Sequence, residues 1–259
     1  MRYLRSGSGQ PLLLVHGLLG YSFSWRFNLE ELGRIRTVIA PDLLGTGFSD
    51  RSSEIDCSAR ASADRMFQLM DQLGIESTDL LGTSHGGGVA VMMANVAPQR
   101  IRKLILVAPV NPWSPHGKLI TKILATRFAQ LTFPRVATAF QATSRFWLAR
   151  LYGDPARISP GTLEGYTAPI ALPGTWQYGL NVIACWHDDL RELEHAYAHI
   201  SQPTLLLWGE KDAAVYASSA AEVKKRIPHA ELQVLPGVGH LPYEETPQLF
   251  NQSVIDFLR

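Results

Sequence analysis

Apolar positions recur along this chain at two different spacings. Short runs, apolar along most of their length, occur at Leu12-Leu13-Leu14-Val15, Thr37-Val38-Ile39-Ala40, Asp79-Leu80-Leu81, Lys103-Leu104-Ile105-Leu106-Val107, Thr204-Leu205-Leu206-Leu207-Trp208 and Glu231-Leu232-Gln233-Val234-Leu235. Such runs suit strands covered on both faces, as in a parallel sheet. Between them the period becomes helical. Residues 58–73 place Ala63, Met66, Phe67, Met70 and Leu73 on one stripe, and Gly74 offers a C-terminal stop. Near the end, Thr246 can cap a helix with Pro247 at its first position, and Leu249, Phe250, Val254, Phe257 and Leu258 form its apolar side. This alternation predicts a doubly wound, mostly parallel α/β sheet with right-handed crossovers.

The rhythm breaks between residues 111 and 202. Strand-like runs become scarce there, and helical patterns carry aromatics such as Trp113, Phe140, Phe146, Trp147 and Trp186, punctuated by prolines. The expected organisation is a core formed by 1–110 and 203–259, with 111–202 as a mostly helical insertion. The aromatics divide between the insertion's own core and the wall of a binding pocket.

Composition narrows the function classes. The 259 residues carry 24 Lys and Arg against 23 Asp and Glu, a net charge of +1, which argues against a general nucleic-acid binder. No cluster of Lys or Arg points to a phosphorylated or polyanionic substrate. Two cysteines, Cys57 and Cys185, are too few for a disulfide framework; buried free thiols are expected, with one long-range disulfide as the alternative. No stretch approaches the ~18 apolar residues of a membrane span, and the polar start does not read as a signal peptide, so a cytoplasmic protein is expected.

The candidate chemistry centres on Gly82-Thr83-Ser84-His85-Gly86. G-x-S-x-G is a common pattern, and its context gives it weight: a strand precedes it and a helix of small residues follows. Glycines on either side allow a sharp strand-to-helix turn that lifts the Ser84 hydroxyl out of the sheet. A serine hydroxyl needs a base to take its proton. Among eight histidines, His240 stands in a flexible loop just after the last strand, where open α/β sheets place their sites. Asp212 follows strand Thr204–Trp208 and is the candidate acid, with Glu210 as its rival. The loop His16-Gly17-Leu18-Leu19-Gly20 can aim the Leu18 N–H, beside that of His85, at a developing oxyanion. His16 itself reads as a structural histidine. His195 and His199 are four apart, a spacing that can hold a metal, but no third ligand is evident and no metal or cofactor is expected.

The order Ser84, Asp212, His240 resembles that of the α/β-hydrolase superfamily. The motifs His16-Gly17-Leu18, Pro41-Asp42-x-x-Gly45-x-Gly47-x-Ser49, Gly82-x-Ser84-x-Gly86-Gly87, Trp208-Gly209-x-x-Asp212 and Gly239-His240 fall in that family's order across nearly the whole chain. The resemblance implies a sheet of about seven strands, one fewer than many relatives, because the chain begins so close to its first glycine turn. It implies that Asp42 and Gly45 shape a loop, and that residues 111–202 cap the site. Serine at position 84 disfavours the dehalogenase and epoxide-hydrolase branches, which use aspartate there.

These residues lead to an expected serine hydrolase of carboxylic esters with a small or medium hydrophobic group. Trp113, Phe146, Trp186 and Leu241 are the candidate pocket residues. The alternatives are carbon–carbon hydrolysis of a ring-fission-type diketone, acyl transfer with the same triad, or a non-catalytic ligand-binding protein. Many carbon–carbon hydrolases of this family carry an aromatic residue just after the catalytic histidine, whereas Leu241 stands here. The sequence leaves monomer and dimer equally open.

Overall fold

A computed structural model describes residues 1–52, 54–115, 118–133 and 143–259; the side chains of residues 118 and 119 are not described. The elements follow in the order β1 (Tyr3–Ser6), β2 (Pro11–Val15), α1 (Leu29–Gly33), β3 (Thr37–Pro41), α2 (Ala59–Gln72), β4 (Thr78–Thr83), α3 (Ser84–Val96), β5 (Ile101–Val107), β6 (Thr204–Gly209) and β7 (Glu231–Leu235), closing with helices Pro242–Glu245 and Pro247–Leu258. One seven-stranded sheet has the order β1-β3-β2-β4-β5-β6-β7. β1 is antiparallel to β3, and every other pairing is parallel. This is the doubly wound sheet expected from the pattern.

Alternate residues of the central strands feed opposite cores. Leu13, Val15, Leu80, Leu104, Leu106 and Trp208 pack with α2 and α3. Leu12, Leu14, Leu81, Ile105, Val107, Leu205 and Leu207 pack with Trp25, Leu32, Phe250 and Val254 on the other face. β3, β4 and β6 are buried at every position. β7 departs from the expectation: as an edge strand it leaves Glu231 and Val234 exposed. Edge position, which hydropathy alone does not encode, sets that difference.

Local capping follows the sequence in α2, where the Ser58 hydroxyl accepts from the Ala61 N–H and Gly74 takes a φ of +68° just past the end. Thr246 stands at the N-cap of the last helix, but its hydroxyl donates to the Pro242 carbonyl (3.3 Å) and does not cap.

Between β5 and β6, every described element is helical: Lys118–Leu124, residues 127–133, Ser144–Leu151, Thr162–Ile170 and Thr175–Tyr197, with the short 3₁₀ turn Pro155–Arg157. Phe140 falls outside the described residues. Cys57 and Cys185 are both free thiols. Among the described residues, no helix is long and apolar enough to cross a membrane.

Candidate active site

Ser84 begins α3 directly where β4 ends. Its φ is +52°, a left-handed value that costs a residue with a Cβ about 1–2 kcal/mol. Close packing enforces the turn. A Cβ on Gly82 would stand 2.3 Å from the Gly86 carbonyl oxygen, and one on Gly86 would stand 2.3 Å from that of His16. The two glycines are therefore required by contact and not by conformation, since neither has a positive φ. The Val110 N–H holds the Ser84 carbonyl from the far side (2.9 Å).

His240 and Asp212 come together across 28 residues of sequence, with Nδ1 and Oδ2 2.7 Å apart. The other Asp212 oxygen accepts from the Ala214 and Val215 N–H groups (2.7 and 2.8 Å). Both oxygens are committed, so the carboxylate can only face His240. With Nδ1–H donating to Asp212, the Nε2 atom of His240 is left as a proton acceptor. Glu210 serves elsewhere: it is exposed and accepts from the Gly237 N–H (2.8 Å).

The sequence reading missed Glu245. Its buried Oε2 accepts from the Gly239 and Gly153 N–H groups (2.7 and 2.9 Å), while Oε1 accepts from Asp154 N–H (2.9 Å). The His240 N–H donates to the Leu151 carbonyl (2.7 Å). The loop carrying His240 is thus tied to the helical insertion on both sides of the histidine. The available signal was an acidic pair, Glu244-Glu245, directly after an otherwise apolar histidine loop.

His16 is buried with both ring nitrogens engaged. Nε2 accepts from the Leu43 N–H (3.0 Å), leaving Nδ1–H to donate to the Gly17 carbonyl (2.8 Å). Burial holds its pKa below the ordinary value. The loop it braces brings Gly17 against Ser84, and Leu18 lines the same cavity as Ser84. Burial, with His16 adjacent, pushes the His85 imidazole down to about 4, so it is uncharged at neutral pH. Asp42 pins the neighbouring loop. Burial works to raise its pKa, but hydrogen bonds from the Phe48 and Ser22 amides and from Arg2 prevail and lower it.

Ser84 and His240 face a cavity of about 500 Å³ between the sheet's loops and the inserted helices. Trp186 and Leu241 line it, as do Trp147, Leu148, Tyr166 and Trp176. Trp113 and Phe146 do not. Trp113 packs edge-on against Tyr197 (5.5 Å between centroids) beneath the Arg226 guanidinium, and Phe146 is 59% exposed on the outside of its helix. One residue of helical phase separates Phe146 from Trp147, enough to take the Phe146 ring off the cavity wall while Trp147, itself 45% exposed, still lines it. No Lys, Arg, Asp or Glu is among the described lining residues. Below the cavity, the buried Glu244 carboxylate accepts from Arg26 (2.7 Å), Tyr152 (2.9 Å) and the Tyr166 hydroxyl. His195 and His199 form no joint site: the His199 Nδ1 faces the His195 carbonyl (2.8 Å).

A family model described as the alpha/beta hydrolase fold matches residues 10–247. The chain belongs to the α/β-hydrolase family. It is 29% identical over 260 residues to a 2-hydroxymuconate semialdehyde hydrolase of Pseudomonas sp. (strain CF600), covering 98% of this chain and 88% of that one. It is 32% identical over 256 residues to the dihydrolipoyllysine-residue acetyltransferase component of an acetoin cleaving system of Pseudomonas putida, covering 97% of this chain but 64% of that longer protein. A solved alpha/beta hydrolase fold protein from Burkholderia ambifaria superposes with a TM-score of 0.86 at 27% identity, covering 98% of this chain and 93% of that one. As a member of this family the chain is a hydrolase.

Proposed function

We propose that this hydrolase cleaves the carbon–carbon bond beside a carbonyl in a small hydrophobic diketone, with Ser84 as nucleophile. The observation that carries the reading is the hydrogen-bonded His240–Asp212 pair opening, together with Ser84 on its strained turn, onto one apolar cavity. The bond type is taken from the relatives named for semialdehyde hydrolysis, which weigh more than Leu241 standing where many such enzymes carry an aromatic.

In the proposed reaction, Ser84 Oγ adds to the carbonyl carbon and its proton passes to His240 Nε2. The Leu18 and His85 amides receive the oxyanion. Collapse breaks the carbon–carbon bond, and the electron pair leaves as an enolate stabilised by the second carbonyl. That enolate takes the proton from His240. Water, deprotonated by His240, then releases the acid from the acyl-serine. Residues 111–202 act as the cap that keeps bulk water from the cavity.

A second reading, ester hydrolysis, is favoured by the absence of any Lys, Arg, Asp or Glu among the described lining residues, which suits a neutral substrate. A single panel decides between them: p-nitrophenyl acetate, butyrate, octanoate and palmitate beside a ring-fission diketone, each with the Ser84→Ala variant. Faster turnover of the diketone supports the first reading, and faster turnover of the esters supports the second. Turnover only with a non-water acyl acceptor points to transfer. Tight binding of these compounds without turnover points to a binding protein.

A further inference from the structure

The near-neutral total charge conceals an uneven distribution. Residues 111–152 contain six of the 24 basic residues and none of the 23 acidic ones, leaving 18 basic and 23 acidic residues for the rest of the chain. Lys122, Arg127, Arg145 and Arg150 are all exposed. Interleaved with them are Ile120, Ile123, Phe128, Leu131, Phe146 and Trp147, each at least 45% exposed, with Phe128 reaching 77%. Elsewhere, large exposed apolar side chains are scattered along the sequence, at positions such as Tyr3, Phe48 and Val234. Ile120 and Trp147 also line the cavity, so this surface borders the cavity mouth.

From this juxtaposition we propose that the outer face of helices Lys118–Leu124 and Ser144–Leu151, with helical residues 127–133, docks on an anionic lipid surface and turns the cavity mouth toward the bilayer. Aromatic and aliphatic side chains set among cations are the composition that seats a helix at a headgroup boundary. Arg150 lies over the Phe146 ring, 5.9 Å from its centroid, which places a cation and an apolar group at one level. A second copy of this chain is a poor occupant. A two-fold contact presses the same patch against itself, and four exposed cations on each side would then face each other without a carboxylate from this stretch. An apolar substrate dissolved in the bilayer would reach the cavity mouth without crossing water.

The test is co-flotation of the full chain with vesicles of phosphatidylcholine alone or of phosphatidylcholine with phosphatidylglycerol, a readout that needs no turnover. Association with the anionic vesicles, lost at high salt, is expected. Lys122→Glu with Arg145→Glu should lower the partition about tenfold or more. Ile123→Asn with Phe128→Asn should lower it by a similar factor, while circular dichroism shows both variants folded. No association with either vesicle overturns the proposal, as does equal, salt-insensitive association with both. A concentration-dependent dimer abolished by Ile123→Asn with Phe128→Asn would assign the face to a second copy instead.

Discussion

The sheet core and the helical insertion between β5 and β6 hold their parts of the site by different means. In the core, backbone does the holding. Glycine contacts shape the Ser84 turn, two amides orient Asp212, and the Leu43 amide fixes His16. Backbone groups on a packed sheet have few alternative positions, so they position atoms for chemistry. In the insertion, side chains do the holding. Trp147 lines the cavity from one helix and Trp176 and Trp186 from another, and the insertion is tied down by carboxylates of the core, Glu244 on Tyr152 and Tyr166, and Glu245 on Gly153 and Asp154. The comparison teaches that the proposed bond-breaking groups and the groups that line the cavity are separable here, joined through the short segment Pro242–Glu245 that follows His240.

The strongest way to break this division is at its chemical end. Ser84→Ala should lower turnover about 10⁶-fold with circular dichroism unchanged, measured on whichever compound of the panel the wild type accepts. Retained turnover would detach the chemistry from the turn. Asp212→Asn should cost about 10⁴-fold in kcat by leaving His240 in the wrong tautomer, whereas Glu210→Gln should change kcat by only a few-fold. Equal losses would mean that the loop, and not the carboxylate on His240, carries the effect.

The joint between the regions is tested by Glu244→Ala. It removes the carboxylate partner of Arg26, which keeps its bonds to the Phe23 carbonyl and the Thr162 hydroxyl, and an acceptor for the Tyr152 and Tyr166 hydroxyls, so stability should fall by about 3 kcal/mol, read as a melting temperature roughly 10 °C lower. A loss below ~1 kcal/mol would mean that the insertion is held by its apolar contacts alone.

The smallest effect sharpens the boundary between α2 and the insertion. Asp189, on helix Thr175–Tyr197, accepts from the Ala59 N–H (3.1 Å) at the start of α2. Burial, and then the negative charges of Glu192, Asp56 and Asp188, push its pKa up to about 7 from the ordinary 3.8, although the Ala59 amide works the other way. The folded chain therefore binds this proton more tightly than the unfolded chain. The stabilisation is complete below pH 3.8 and is lost as pH rises through 7. Asp189→Asn should leave stability near pH 4 little changed and raise it at pH 8 by something on the order of 1–2 kcal/mol, measured by urea denaturation at both values. A uniform shift at both pH values would show that the carboxyl does not titrate in this window.

Legibility along the chain follows the same division. Strands and α2 could be read because burial on both faces, or on one stripe, writes itself into local hydropathy. Ser84, His240 and Asp212 could be read because a turn, a loop and a strand end each leave a local mark. Glu245 could not, because its role lies in accepting amides from Gly153 and Gly239, one of them 92 residues away. Trp113 and Phe146 misled for a related reason: an aromatic in the insertion can face the cavity, the core or the solvent, and adjacent positions such as Phe146 and Trp147 differ by a turn of about 100°.

The sequence by itself determined the doubly wound sheet, the sharp turn at Ser84 and the order of the candidate triad, because these rest on periodicity, glycine placement and strand-end position, all local properties. Only the tertiary structure decided that Asp212 and not Glu210 faces His240, that Trp186 and Leu241 and not Trp113 and Phe146 line the cavity, and that Glu244 and Glu245 bind the two regions together. Those choices depend on which side chain meets which backbone group across tens of residues. Such meetings are settled by packing, where one oriented carboxylate or one turned ring excludes its neighbour.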